Sequence, residues 1–311
     1  MRPSPNPARA IAFKLASVTA FVAMASLIKA TSDAVPPGQA VFFRSFFAMV
    51  VIFGWMSARG GIRAGIKTKD PMSHVWRGLV GTTAMGLMFT GLGLLPLPEV
   101  TAIGYAAPLL VVILAAMFLG EQVRFFRLSA VALGLFGVLI VLSPRLTALD
   151  GGASDTELLG AMVVLTGASC AALAQVFVRK MVETEETSAI VFWFTITSTA
   201  VSLLTIPFGW EIPSAEVAGM LILAGLLGGF GQMGLTLAYR YADAGVVAPF
   251  EYFSMLLALI IGFFIFGERP TLTVLGGAAL IISAGIIIIW RERQLGFERR
   301  RQRESSQQKG L

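Results

Sequence analysis

Glu251 lies in PFEYFSMLLALIIGFFIFGERP (residues 249–270), a stretch in which almost every other side chain is apolar. A carboxylate in such a place can bind a cationic or polar solute or exchange a proton. In its acid form it can instead hydrogen-bond a neighbouring helix. Pro249 just before it removes a backbone donor and loosens any helix there. Arg44 is the basic residue in a comparable setting, within VFFRSFF (41–47) and among Phe42, Phe43, Phe46 and Phe47. Glu99 opens an apolar run on the same side as Arg44. The two are expected to meet as a structural ion pair or as a gate. Lys14 lies near the start of the first apolar run, where it reads as snorkelling to the surface. Tyr105 and Tyr252 carry hydroxyls that need partners in hydrocarbon. Trp193, Phe192 and Phe250 offer flat faces, and Gln175 and Gln232 offer amides able to bond a solute or a neighbouring helix.

Other chemistry is excluded by what is scarce. His74 is the only histidine and Cys170 the only cysteine, so an HExxH zinc motif, a cysteine metal cluster and an internal disulfide all fall away. No pair of apolar-embedded aspartates offers protease chemistry. No enzyme, metal or cofactor is expected. A channel is also disfavoured, since no ring of repeated charges and no carbonyl-filter motif appears.

The elements that must position these residues are membrane helices. Hydrophobic residues make up 56% of the 311 and charged ones 14%, where a soluble domain carries about 25% charged. Apolar runs of about 20 residues recur throughout, each long enough for a hydrocarbon core of about 30 Å. Ten spans are read at approximately 10–30, 38–57, 75–95, 98–119, 127–143, 157–178, 187–207, 215–238, 244–266 and 272–290. The leader MRPSPNPARA runs straight into a full span, so no cleaved signal peptide is expected.

Of the 24 Lys and Arg, nineteen fall on the side of the N-terminus and three (Lys29, Arg145, Arg269) on the other. The positive-inside rule then puts both termini in the cytoplasm. Arg77 is counted among the nineteen. The net charge of +6 is concentrated in this asymmetry and in the tail ERRRQRESSQQKG. The tail reads as an anchor against anionic lipid, with no nucleic acid as partner.

An internal repeat organises the spans. Residues 98–121, PEVTAIGYAAPLLVVILAAMFLGE, lie on 245–268, GVVAPFEYFSMLLALIIGFFIFGE, at an offset of 147. Tyr105 meets Tyr252, and Gly120-Glu121 meets Gly267-Glu268, so these pairs read as architecture that ends helices and caps or pairs with a nearby Arg. Glu251 meets Gly104, so this carboxylate breaks the repeat. The domains are therefore a five-span repeat over 10–143, a linker at 144–156, a second five-span repeat over 157–290 and a basic tail over 291–311. Five is odd, so the second half is inverted relative to the first, as in many secondary transporters. The fold class is all-α and polytopic, with ten transmembrane helices as two inverted five-helix repeats. The run GLLGGFGQMG (225–234) has small residues four apart and reads as a close-packing surface.

Taken together, the Gly-Glu pairs, Arg44 in a phenylalanine-rich second span, the entry LPLPEVTAIGYAAPLL and the tandem halves resemble the EamA family of the drug/metabolite transporter superfamily. The resemblance covers roughly residues 10–290. It implies transport of small organic metabolites by alternating access, with cargo held in a cavity between the halves and a location in the bacterial inner membrane. The fourth and ninth spans are also similar to a bacterial branch that includes riboflavin importers. That similarity implies uptake of riboflavin or another flat, polar-edged compound. Export of amino-acid-like metabolites or drugs is the alternative. On this reading Arg44, Tyr105, Trp193, Gln232, Phe250, Glu251 and Tyr252 are the candidate binding residues. Arg44 and Glu99 are the candidate gate or ion pair, and Glu251 is the group for any proton coupling.

Overall fold

The computed structural model describes residues 6–58, 62–119, 125–146, 155–181, 184–242 and 244–308. The first half comprises α1 (Pro7–Ala30), α2 (Pro37–Ala58), the short α3 (Ile62–Ile66), α4 (Pro71–Leu94), α5 (Leu97–Gly104), α6 (Ala106–Leu119) and α7 (Phe125–Leu146). The second comprises α8 (Asp155–Met181), α9 (Thr187–Leu203), α10 (Ala215–Tyr241), α11 (Ala244–Val247), α12 (Phe253–Phe266) and α13 (Leu272–Gln308), with a 3-10 turn over Ala248–Tyr252 between α11 and α12. Among the described residues there is no strand. Seven segments are long and apolar enough to cross a membrane, and α7 and α9 contain shorter apolar helices. With α4, which is 24 residues long, they make up the ten spans of a multi-pass membrane protein. Large apolar side chains such as Phe125, Phe264, Ile265 and Leu272 point outward, the surface a lipid environment requires.

Local sequence sets where the helices begin. Asn6 caps α1 through Arg9 N–H, with Pro7 at the first helical position. Asp70 caps α4 in the same way through Ser73 N–H, with Pro71 next. The Asn6 N–H bonds the Tyr241 carbonyl at 2.9 Å, so α1 starts on the face where α10 ends. We call this the terminal face and the opposite one the far face. At 37 residues α13 is about 55 Å long, which carries it well past a bilayer on the terminal side.

The halves interlock with exchange symmetry. Helix α1 packs on α10, and its counterpart α8 packs on α4. Helix α2 packs on α10, as α9 does on α4. The pairs α2–α9 and α7–α13 each join a helix to its own counterpart, and α5–α12 joins the fourth span to the ninth. The largest contacts thus recur or map onto themselves when the halves are swapped, whereas the α2–α4 contact has no comparable twin between α9 and α10.

Glycines let these crossings close. A Cβ on Gly137 of α7 would lie 2.9 Å from the Gly277 carbonyl oxygen, and one on Gly277 of α13 would lie 2.7 Å from that of Gly137. The glycine run on α10 packs as its spacing suggests. Gly225 and Gly229 face α2 at Phe43, Phe47, Ala48 and Val51, while Gly231 and Gly234 face α1 at Phe21 and Phe13.

Two of the segments read as single spans are interrupted. Span 4 breaks at Tyr105 between α5 and α6 because Pro108 cannot donate to Gly104, four residues back, and crowds its carbonyl. Span 9 begins as the 3-10 turn around Pro249 before α12 takes over at Phe253. The interruptions fall at positions related by the repeat. Of the two Gly-Glu pairs, Gly120-Glu121 lies outside the described residues. Gly267 ends α12 with φ of 67°, and the N–H of Glu268 returns to the Gly262 carbonyl. The partner of Glu268 is a lysine, where an arginine was expected. Lys29 Nζ lies 3.0 Å from Glu268 Oε1 and donates to the carbonyls of Leu92 and Leu95, while Glu268 Oε2 accepts from Leu97 N–H at 2.8 Å. One ion pair therefore caps the end of α4 and the start of α5 at the far face.

At the terminal face Glu185, between α8 and α9, accepts from Lys69 N–H, Asp70 N–H and the Thr68 hydroxyl, and lies 3.5 Å from His74 Nε2. Burial pushes the Glu185 carboxyl up, but these hydrogen bonds outweigh it and hold the group below the usual carboxylate value. The loop before α4 is thereby fastened to the loop before α9.

Candidate functional site

Between the halves, helices α2, α9 and α10 enclose two adjoining pockets that share Ile52, Val191 and Gln232. One is lined by Arg44, Phe194 and Gly228, and the other adds Trp55, Ser188 and Thr236. Each has free space for little more than a water molecule, and the lining is apolar with a guanidinium, an amide and hydroxyls at a few points.

Arg44 is 7% exposed. Its chain lies along Gly228, where a Cβ would come within 3.1 Å of Nε, so this glycine makes room for it. Its guanidinium carbon stands 5.9 Å from the centre of the Phe194 ring. Arg77, from α4, covers that same ring at 3.5 Å. The Nε of Arg44 and the Nε and Nη1 of Arg77 are buried with no hydrogen-bonding partner. Phe194, Gly228 and Arg77 therefore lie around Arg44. Glu99 is buried in the first turn of α5.

A second cluster joins α1, α5 and the start of α12. The rings of Tyr105 and Tyr252 meet edge to face with centroids 5.2 Å apart. The Tyr105 hydroxyl bonds Ser254 Oγ at 2.6 Å, and Ser254 Oγ donates to the Glu251 carbonyl. Glu251 pairs through its carboxylate with Lys14. This corrects the reading of Lys14 as a snorkelling residue, since its side chain is 1% exposed and directed inward while Glu251 stays 47% exposed. The physical reason is that a counter-charge within the bundle outcompetes the short path to the surface.

The remaining candidates lie elsewhere. Trp193 donates from its indole N–H to the Ile66 carbonyl and lies near His74, toward the terminal face. Phe250 is half-buried in the 3-10 turn, and Gln175 is exposed on α8. Arg44 and Gln232 are therefore brought to the cavity, and Tyr105, Glu251 and Tyr252 to the second cluster. Sequence reasoning missed Arg77, Phe194, Lys14 as a partner and Ser254. The signal for Arg77 was the Asp70-Pro71 start of α4, which places it two turns inside the helix instead of at its edge. Among the described residues no group of His, Cys, Asp and Glu is placed to hold a metal.

Comparison with known proteins agrees with this geometry. A solved crystal structure 20% identical in sequence shares the fold, with a TM-score of 0.64 covering 92% of this chain and 98% of that one. A riboflavin transporter of Rhizobium johnstonii is 30% identical over 293 residues, which is 92% of this chain and 94% of that protein. An S-adenosylmethionine uptake transporter of Rickettsia prowazekii is 28% identical over 256 residues, covering 82% and 84%. A pseudopaline exporter of Pseudomonas aeruginosa is 28% identical over 280 residues, covering 88% and 93%. The family model described as the EamA-like transporter family matches twice, over residues 8–143 and 158–291. With one match in each interlocked half, the chain belongs to the EamA-like transporter family.

Proposed function

We propose that the chain is a secondary carrier which moves a small organic metabolite by alternating access, and that its leading cargo is riboflavin, taken up across a bacterial inner membrane. The observation that carries the reading is the polar-pointed cleft bounded by α2 of one half and α9 and α10 of the other. Two ion pairs that join the halves, Lys29–Glu268 and Lys14–Glu251, lie outside its lining. A flat ring system suits the faces of Trp55 and Phe194, and Gln232 can bond a polar edge. The riboflavin transporter at 30% identity supports this cargo. Glu251 is the proposed site of any proton coupling, because protonating it removes the counter-charge of Lys14. Nothing in this arrangement calls for an enzymatic step.

Export of an amino-acid-like metabolite is the second reading, favoured by Arg44 in the cavity wall and by the pseudopaline exporter among the relatives. The test is complementation of a riboflavin-requiring host that lacks its own uptake system. Growth on scarce riboflavin is the expected result. No rescue despite good membrane expression removes the riboflavin reading, and the same cells then serve for efflux assays of amino-acid-like solutes.

A further inference from the structure

Arg44, which lines the cavity, and Arg77, which does not, both lie against the ring of Phe194, and among the described residues neither has an ion-pair partner. Arg44 lies seven residues into α2 from the far face and Arg77 six residues into α4 from the terminal face, each about 10 Å from its helix end. Either could extend toward its own surface. Instead both side chains turn inward to the ring of Phe194. Three of their nitrogens are buried without a hydrogen-bonding partner, and the two groups carry charge of the same sign. The backbone is fitted to this arrangement. Gly228 leaves space for Arg44, and a Cβ on Gly81 would meet Phe194 at 2.9 Å and Arg77 Nη1 at 3.4 Å. Buried unpaired guanidiniums that repel one another are costly, and a fold built around them implies a compensating group that is present for part of the working cycle.

We infer that Arg44 and Arg77 form the recognition site for an oxyanion of the cargo, a carboxylate or a phosphate, held between the two guanidiniums beside Phe194. The planar donor fork of arginine suits both groups, and two forks converging from different helices can satisfy an oxyanion from two sides. The anion would also tie α2 to α4 and, through Phe194, to α9 of the other half. Cargo entry would then remove the repulsion that keeps these helices from closing further. This inference rests on the carrier reading and, within it, favours a solute bearing an anionic group, as in the second cargo reading, over riboflavin, which bears none.

The experiment uses the full chain in neutral-lipid vesicles and two matched probe pairs, riboflavin 5′-phosphate against riboflavin, and indole-3-acetate against indole-3-acetamide. Binding is read by equilibrium dialysis, and uptake is followed in parallel. The anionic member of at least one pair should bind about tenfold or more tightly than its neutral twin, and the pair that responds names the group. Arg44→Gln and Arg77→Gln should each erase that preference, so that both members of the responding pair bind alike. Arg44→Lys and Arg77→Lys, which keep the charge if the glutamine variants fail to fold, should retain a weakened preference. Equal binding within both pairs, or a preference that survives both glutamine variants, would overturn the inference. So would loss of the preference in folded lysine variants. Riboflavin uptake with no preference for anions removes this inference alone, whereas failure of every solute to move removes the carrier reading.

Discussion

At the scale of single residues, the Lys14–Glu251 pair shows how uneven burial decides what a substitution does. Lys14 is enclosed, whereas nearly half of the Glu251 side chain remains accessible. Removing the carboxylate strands a buried ammonium; removing the ammonium leaves a carboxylate that water can still reach. Glu251→Gln is therefore expected to lower stability by about 3 kcal/mol, the low end for breaking a buried pair. Lys14→Met should cost less, and the double variant should recover most of the loss. Thermal unfolding of the four proteins in detergent measures this cycle. Transport should fail in Glu251→Gln and stay lost in the double variant. Recovery of transport along with stability would show that the pair serves folding alone. The importance of Glu251 could be read from the sequence, because it breaks the repeat at Gly104. Its partner could not, since 237 residues separate the two and only packing brings α1 against the 3-10 turn.

At the scale of elements, the crossing of α7 and α13 gives the cleanest test of packing. Each of Gly137 and Gly277 abuts the other's backbone, which cannot move aside as a side-chain tip can. Gly276, the neighbour of Gly277, has nothing within 4 Å of its Cβ position. Gly137→Ala and Gly277→Ala are each expected to destabilise the protein by about 1–3 kcal/mol through overpacking. Gly276→Ala should be neutral or stabilise by up to about 1 kcal/mol, the helix propensity gained. Unfolding midpoints for the three variants decide it, and equal behaviour would refute the tight crossing. The sequence alone does not show which of two adjacent glycines faces the partner, because that depends on helix rotation. The same limit hid Arg77. A start at residue 75 makes it a surface charge, whereas the Asp70 cap and Pro71 place it two turns deep. The interruption at Tyr105 was foreshadowed by Pro108, though only the three-dimensional arrangement shows the two tyrosines meeting across the halves.

For the whole molecule, ten spans and an inverted repeat were legible because bilayer thickness and the 147-residue offset leave little freedom. We propose from the charge asymmetry that both termini face the cytoplasm. Moving Arg77 out of the terminal-face loops and into α4 reduces the asymmetry by one residue and leaves its direction unchanged. Reporter fusions after residue 311 and before residue 1 should both register a cytoplasmic location, and a periplasmic signal from either would reverse the assignment.

The exchange-symmetric packing has one more consequence. Contacts such as α1–α10 and α8–α4 come in pairs related by the repeat. The α7–α13 contact has no second copy to trade places with, and its glycines leave no side-chain layer in which to slip. On the alternating-access reading proposed above, this crossing is the fulcrum: whichever face opens, it keeps its spacing while the helices around the cavity swing about it.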